Sequence, residues 1–227
     1  MHSIKTELNE REQEIEAYFI LLNKLEAGEY IIYENGNPVA SSITTRTTQK
    51  ASGVLLLYNL VESIVTKCLE RIHDCIISNN VSYSDLNEDI KKLMLTYFCT
   101  VSEKKNNMSE MAAYLHEAIH LITDQRKFSL RFKEMGKHYA LYSGNLDSKK
   151  INEAFKKYGI NFDEKCTELQ TIKDNRNKLA HGEVSFEECG RSLTIPQLNA
   201  LKSKCIEYLT KLVGALDSYL QNNEFRI

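Results

Sequence analysis

Residues 48–77 read TQKASGVLLLYNLVESIVTKCLERIHDCII and are the most apolar stretch of the chain. Apolar side chains recur there every three or four residues, from Leu57 through Ile64 to Ile76, which is the spacing of one helical face. The pattern predicts a helix over 47–78. Because so wide an apolar surface must be covered on several sides, we expect this helix to be the central one of a helical bundle.

Composition favours an all-α fold. The chain has 227 residues, of which 42% are hydrophobic and 26% are charged, the proportions of an ordinary globular protein. It contains only 2 prolines and 9 glycines, so helix-breaking residues are rare. The length suits one domain that buries roughly 70–75% of its unfolded surface. We therefore predict a single domain over 1–227, with an N-terminal helix and hairpin arm in 1–45 and a bundle in 46–227.

Periodicity and capping signals divide the remainder into helices. The first is predicted over 4–26 and ends before Gly28. Further helices are predicted from a cap at Ser84 or Asp85 to Val101, from Ser109 to Ile122, over 127–142 up to Ser143-Gly144-Asn145, from Asp147 or Ser148 to Gly159, and over 162–181.

Two later pairs have the spacing of capping boxes, in which two residues satisfy each other's backbone amides. They are Ser185 with Glu188 and Thr194 with Gln197. The second pair, followed by Pro196 in the first turn, predicts a final helix to about residue 221.

Residues 29–43, EYIIYENGNPVASSI, interrupt the helical pattern. Short β-rich runs flank Asn35-Gly36, and an Asn-Gly pair between such runs is the strongest short-range hairpin signal. We predict a small β-hairpin or irregular arm, too short to form a sheet domain.

Charge and cysteine usage limit the classes of function. The net charge is −2 and the pI about 6.3, so any RNA contact must come from a local basic cleft. The six cysteines form no CxxC pair, which is typical of buried thiols in a reducing cytoplasm rather than of a zinc cluster or disulfide framework. The N-terminus is charged from the outset, and no run approaches the ~18–20 apolar residues that span a bilayer. We expect a soluble cytoplasmic protein with no membrane role.

Residues 176–182, RNKLAHG, join a guanidinium, an amide and an imidazole near the end of the helix predicted over 162–181. Arg176 follows Ile172 by four residues and therefore lies on the apolar face, where an arginine needs a partner or a cleft. His181 lies about 140° around the helix from Arg176. Either the helix loosens before Gly182, or the two residues complete a site together with a second copy of the chain.

This segment has a structural and a chemical interpretation. The structural one is an ordinary helix C-terminus, with a histidine favourably placed against the helix dipole and Gly182 as the stop. The chemical one is RNA cleavage, in which a neutral histidine accepts the proton of a ribose 2′-hydroxyl and an arginine stabilises the charge on phosphate.

Arg176-Asn177-x-x-x-His181 resembles the Arg-polar-x-x-x-His signature of the HEPN superfamily, helical ribonucleases of bacterial toxin–antitoxin and antiphage systems. The segments YNLVES (58–63) and RNKLAHGEVSFEECGR (176–191) are similar to a bacterial HEPN-like branch. The resemblance implies a helical bundle that dimerises so that two motifs face each other in one cleft. It also implies metal-independent cleavage, without a cofactor, that leaves a 2′,3′-cyclic phosphate and a 5′-hydroxyl.

By motif position, the resemblance implies that Arg176 and His181 are the catalytic pair and Asn177 the accompanying polar residue. Lys173, just before the motif, and Lys178, within it, are candidate substrate-binding residues because they could contact phosphate. A solvated helix face explains these lysines equally well, and the same applies to Lys149, Lys150, Lys156 and Lys157.

Glu62 lies beside the apolar face of the central helix. It either marks the edge of that face or is a half-buried carboxylate that orients a cation. If the central helix packs near the motif, Arg176 is the cation that it would orient.

Residues 116–120, HEAIH, match the HExxH signature of zinc peptidases. His116 and His120 can share one metal ion, and Glu117 could activate water. A third ligand is required, however, and neither His138 nor Glu134 is supported by the sequence. The neighbouring Leu115, Ile119 and Ile122 are those of an ordinary amphipathic helix, so we expect no metal here and keep a zinc hydrolase as a remote alternative.

The sequence therefore predicts a homodimeric HEPN-type endoribonuclease, acting as a toxin or an antiphage-defence effector that an antitoxin or immune-complex partner restrains. Transfer RNA is the substrate suggested by analogy. The competing prediction is a noncatalytic HEPN module that binds a protein or nucleotide in a defence complex, because some HEPN proteins are inactive.

Overall fold

A computed structural model describes residues 4–29, 32–39, 41–123, 126–142 and 144–227. Within them the fold is all-α, as predicted. The helices are α1 (Ile4–Glu26), α2 (Ile43–Ser78), α3 (Glu88–Glu103), α4 (Met108–Thr123), α5 (Phe132–His138), α6 (Ser148–Lys156), α7 (Thr167–Ala180), α8 (Phe186–Arg191) and α9 (Ile195–Gln221).

Several predicted boundaries are confirmed. Helix α1 has the predicted bounds, and α2 and α9 end at the predicted residues 78 and 221; α2 starts four residues before the predicted 47. Both capping boxes form. The Glu188 and Gln197 amides donate to the Ser185 and Thr194 hydroxyls at 3.1 and 3.3 Å.

The predicted starts of α3 and α4 are wrong because an asparagine caps each helix. The Asn87 side-chain oxygen accepts from the Ile90 amide at 2.9 Å, and Asn107 does the same for Glu110. Ser84 and Asp85 instead lie in a 3₁₀ turn over Tyr83–Asp85, and Ser109 lies inside α4. Serine and asparagine are both favoured N-cap residues, so residue type alone does not show which of them caps the helix.

Three predicted helices are shorter than expected, and one of them, α6, ends at Lys156 rather than at Gly159. Of 127–142 only Phe132–His138 is helical, because Lys127 forms an antiparallel bridge with Ser82. The following Phe128 amide donates to the Val81 carbonyl at 2.8 Å. Helix α7 begins at Thr167 rather than at 162, since Cys166 has extended backbone angles. Ser143, predicted to begin the break after 142, lies outside the described residues.

Between α1 and α2, strands β1 (Ile32–Glu34) and β2 (Asn37–Val39) pair antiparallel. The turn consists of Asn35 and Gly36, whose φ angles of 51° and 82° suit a two-residue hairpin turn. Residues 30, 31 and 40 of the predicted 29–43 arm lie outside the described residues.

The chain divides into two compact units. Unit 1 comprises Met1–Ile64, Asn145–Ser148 and Lys165–Lys211, and unit 2 comprises Val65–Gly144, Lys149–Glu164 and Leu212–Ile227. Helices α2 and α9 contribute residues to both. The domain arrangement predicted from the sequence, one domain over 1–227, stays a prediction.

Unit 1 is held together by apolar packing and by polar contacts between its helices. Its fully buried side chains include Phe19, Leu57 and Leu198. The Tyr18 hydroxyl of α1 donates to the Gln49 carbonyl of α2 at 2.5 Å, and Lys202 of α9 forms an ion pair with Glu16 of α1. These contacts join α1 to the parts of α2 and α9 that belong to unit 1.

Helix α2 is long and apolar enough to cross a membrane by length and composition, with a mean hydropathy of 1.3 over its most apolar 18 residues. The sequence contains no unbroken apolar run of this length, which is why no membrane-spanning segment was expected. In the fold, 56% of that window is buried, which is the property of a core helix.

Unit 2 contains a fully buried histidine. The His73 Nδ1 lies 2.7 Å from the Leu130 carbonyl oxygen, and its Nε2 lies 2.7 Å from the Tyr158 hydroxyl. A carbonyl can only accept, so Nδ1–H donates to it. Burial lowers the pKa of His73 to about 4, so the ring is neutral at neutral pH, and its unprotonated Nε2 then accepts from the Tyr158 hydroxyl.

We expect the stability of the protein to depend on the His73 titration. Above pH 6.5 the ring is neutral in both the folded and the unfolded chain; as the pH falls from 6.5 towards 4, only the unfolded chain gains the proton. About 3 kcal/mol of unfolding free energy should be lost over that window. Urea unfolding of wild type and His73→Gln between pH 7.5 and 4 measures this, because glutamine preserves one donor and one acceptor without titrating.

The variant should show a shallower pH dependence than wild type, since other titrating groups are common to both. The matched control is His138→Gln at the exposed end of α5, which should leave the wild-type pH dependence unchanged. Parallel curves for wild type and His73→Gln would contradict the assignment of a neutral buried ring.

Candidate functional site

The predicted motif lies at the C-terminal end of α7, within unit 1, and His181 is the residue that caps the helix. The apolar face of the helix is formed by Leu169, Ile172 and Leu179, all of which are buried. Arg176 is half-buried on this side, as its spacing from Ile172 predicts, whereas His181 is exposed. The helix thus holds the guanidinium against the fold and leaves the imidazole at the surface.

Helix α7 ends in a glycine-dependent cap. His181 is the last residue with helical backbone angles, and Gly182 follows with a φ of 68°. The Glu183 amide donates to the Lys178 carbonyl at 2.9 Å and the Gly182 amide to the Leu179 carbonyl at 3.2 Å, the pair of bonds that defines a Schellman motif. The helix therefore does not loosen before Gly182, and the cap fixes the backbone of His181.

The guanidinium of Arg176 makes two contacts within the described residues. Its central carbon lies 4.7 Å from the centre of the Tyr58 ring, a cation–π distance, and Nη1 donates to the Asn177 side-chain oxygen at 3.1 Å. An arginine has five N–H donors, and the described part of the chain supplies an acceptor for one. The remaining donors are available to a ligand.

Tyr58 is the support beneath this guanidinium. Only 1% of the residue is exposed, and its hydroxyl donates to Glu62 at 2.9 Å while accepting from the Leu146 amide at 3.2 Å. Burial is the main cause that raises its pKa, and the bond to the Glu62 carboxylate raises it further. The phenol therefore keeps its proton and its orientation.

Glu62 contacts Tyr58 and, within the described residues, forms no direct salt bridge with Arg176. Within the described residues its recorded partner is the Tyr58 hydroxyl, so the carboxylate acts on the guanidinium through the phenol ring. This arrangement fits an orienting role, although through one intermediate side chain.

The two candidate substrate lysines differ. The Lys173 ammonium lies 2.7 Å from Asp147 and 3.0 Å from Gln170, and its side chain is 13% exposed. Two of its three N–H donors are thereby used and Asp147 offsets its charge, so Lys173 is better explained as an ion-pair link between α7 and the 145–148 segment. Lys178 is exposed and remains a candidate.

A cavity of about 450 Å³ in unit 2 contains two of the other predicted lysines. Lys156 and Lys157 line it together with Lys92 and Tyr139. The Lys157 ammonium lies 3.2 Å from the Tyr139 hydroxyl, so one cation is already hydrogen bonded. Asp89 and Glu153 also line the cavity, and these carboxylates offset the attraction for phosphate.

The residue missing from the sequence-based site is Tyr58. It lies four residues before Glu62, a spacing that places both on one side of a helix, and both belong to the YNLVES segment. This spacing of Tyr58 and Glu62 was the sequence feature that could have pointed to a contact between them. The proximity of Tyr58 to Arg176 could not be read from the sequence, because it depends on how α2 and α7 pack.

His116 and His120 are neighbours on α4, with their Nε2 atoms 3.3 Å apart. Among the residues that the structure describes, no group of three or more histidine, cysteine, aspartate or glutamate side chains is placed to hold a metal ion. A third zinc ligand, which a peptidase site of this type needs, is therefore not found in that part of the chain.

The fold is all-α, and an arginine, an amide and a histidine lie together at a capped helix end. The HEPN_MAE_28990-like HEPN family model matches residues 1–225. The chain therefore belongs to the HEPN superfamily, as the resemblance of its motif predicts. No curated protein and no solved structure is significantly similar to it.

Proposed function

We propose that this HEPN protein is a metal-independent endoribonuclease whose active site is shared by two copies of the chain. The observation that carries the proposal is Arg176, a half-buried guanidinium that lies over the Tyr58 ring and, within the described residues, uses one of its five N–H donors. A fixed cation with free donors suits a phosphate, which can accept two parallel hydrogen bonds from arginine.

The reaction would begin when the His181 imidazole accepts the proton of a ribose 2′-hydroxyl. The 2′-oxygen then forms a bond to the adjacent phosphorus, and the bond from phosphorus to the 5′-oxygen breaks. Arg176 stabilises the added negative charge on the phosphate. The His181 imidazolium formed in the first step returns its proton to the departing 5′-oxygen. The products are a 2′,3′-cyclic phosphate and a 5′-hydroxyl.

The shared site is supported by the positions of Arg176 and His181. The capped helix places them about 140° apart around its axis, and among the described residues the His181 side chain has no recorded hydrogen-bond partner. A second α7 facing the first would bring the imidazole of one chain towards the guanidinium of the other. Two-fold symmetry would then create two such pairs.

The biological role follows from the proposed chemistry. A ribonuclease of this kind would serve as a toxin or an antiphage effector, with a protein partner that restrains it, and transfer RNA is the proposed substrate class. All six cysteines are free thiols, which fits action in the reducing cytoplasm.

A second candidate is a noncatalytic HEPN module that binds a protein or a nucleotide. It is favoured by the same exposed His181, because a general base is usually oriented by a further group, and none is recorded in the described part of unit 1. Under this alternative Arg176 would bind an anionic group without cleavage.

The test is incubation of the purified protein with total RNA and with transfer RNA in EDTA. We expect wild type to cleave and His181→Ala to be slower by about 10²–10⁴-fold, the usual contribution of a general base. The matched control is His138→Ala, which removes an exposed histidine at another helix end and should leave the rate unchanged. Intact RNA with wild type, with or without candidate activators, would contradict catalysis and favour the noncatalytic module.

A further inference from the structure

A pair of histidines on α4 is not used by the proposed ribonuclease reaction. His116 and His120 are one helical turn apart, so their side chains share a face. Their ring centres are 4.4 Å apart, and their Nε2 atoms approach to 3.3 Å. The two outermost ring nitrogens therefore converge on one point beside the helix.

This separation fits tetrahedral metal coordination. Zinc binds imidazole nitrogen at about 2.0–2.1 Å, and two such bonds at a tetrahedral angle place the nitrogens about 3.3–3.4 Å apart. We propose that His116 and His120 chelate a late first-row divalent metal ion, of which zinc is the representative, through their Nε2 atoms. The observed separation of the two Nε2 atoms already equals the separation that such coordination requires.

The surroundings leave room for the rest of a coordination sphere. His116 is exposed and lines an open cavity of about 550 Å³ with Glu110, Tyr114 and Glu117. The Lys105 ammonium, also in this cavity, lies 4.9 Å from the centre of the Tyr114 ring. Among the residues that the structure describes, the ion would have these two protein ligands, and the open cavity leaves room for water at other positions.

The ligand set also determines which ions are suitable. Imidazole nitrogen suits zinc, copper and nickel, and affinity rises from nickel to copper. Magnesium and calcium prefer oxygen ligands, so they should not bind here. With two protein ligands the site differs from the three-ligand centre of a zinc peptidase, and no hydrolysis is proposed for it.

The competing explanation of the short distance is a hydrogen bond from the Nε2–H of one ring to the Nε2 of the other. A metal ion would displace that proton, which could move to Nδ1 of the same ring. Only metal binding makes saturable uptake depend on both histidines.

The experiment is isothermal titration of zinc chloride into the full chain after removal of metal by EDTA and dialysis. We expect saturation, and His116→Ala and His120→Ala should each weaken binding by at least about tenfold, because even loss of a second-shell partner costs about 10–100-fold. Alanine is the best helix former, so α4 should remain folded, and circular dichroism verifies this. His138→Ala is the matched control and should bind zinc as wild type does.

Three results would overturn the proposal. They are no saturable uptake by wild type, wild-type affinity in folded His116→Ala, and equal weakening in His138→Ala. The first two mean that the rings share a proton only, and the third means nonspecific surface binding. Magnesium chloride, titrated in parallel, should give no saturation. None of these readouts uses RNA cleavage, so the outcome is independent of the proposed ribonuclease activity.

Discussion

Arg176→Ala is expected to lower the rate of RNA cleavage by about 10²–10³-fold, the loss found when one preorganised donor to a developing charge is removed. Arg176→Lys should not restore the rate. A lysine ammonium lacks the planar fork that stacks on the Tyr58 ring and donates to Asn177 at the same time. Cleavage of a labelled RNA under single-turnover conditions in EDTA measures the effect on the chemical step.

The matched control for this prediction is Arg191→Ala. Arg191 is an exposed arginine of α8 in the same unit, and it pairs with Glu187. Its loss should change the rate little, because exposed ion pairs contribute about 0–1 kcal/mol. Wild-type cleavage by Arg176→Ala, or an equal loss in Arg191→Ala, would remove Arg176 from the mechanism.

Mixing two inactive variants tests whether the site is shared. If each site takes Arg176 from one copy and His181 from the other, a mixed dimer of Arg176→Ala and His181→Ala contains one intact site. Random exchange makes half of the dimers mixed, so activity should return to about a quarter of wild type. If both residues act within one chain, the mixture stays inactive, and a strictly monomeric protein at micromolar concentration would argue against a shared site altogether.

Gly190→Ala is expected to reduce the unfolding free energy by about 3 kcal/mol, the upper part of the usual range for overpacking a core. A Cβ at this position would lie 1.9 Å from the Thr47 carbonyl oxygen and 2.5 Å from the carbonyl carbon. Both are backbone atoms of α2, so no side-chain rotation relieves the clash, and α8 must move away from α2. Urea unfolding of wild type and variant measures the loss.

The control for Gly190→Ala is Gly214→Ala. Gly214 is an exposed helical glycine of α9, and a Cβ there would meet nothing within 4 Å. Removing a helical glycine should therefore raise stability by about 0.5–1 kcal/mol. A loss below about 1 kcal/mol for Gly190→Ala would show that α2 and α8 separate without cost.

Helices were predictable from the sequence where the apolar period was long, as in α1, α2 and α9. Their starts were predictable where the cap is local, as for the boxes at Ser185 and Thr194. The starts of α3 and α7 were not. Asn87 contacts the carbonyls of Tyr158 and Glu224 and the Tyr219 hydroxyl, so its choice as cap depends on residues distant in sequence.

The candidate site was also only partly predictable, because some of its contacts are local in sequence and others depend on tertiary packing. The half-burial of Arg176 follows from helical spacing, and the end of α7 at His181 follows from Gly182. The ion pair of Lys173 with Asp147 joins residues 26 positions apart, and the stacking of Arg176 on Tyr58 joins two separate helices. Such contacts are set by tertiary packing, which a single sequence does not contain.

The Tyr58 ring beneath Arg176 also determines when the arginine side chain loses its conformational freedom. A free arginine side chain carries about 2 kcal/mol of rotamer entropy. Between the Tyr58 ring and the Asn177 amide, much of that entropy is surrendered when unit 1 folds. An anionic ligand therefore meets a guanidinium already confined to a few rotamers, and the association step is spared that entropic penalty.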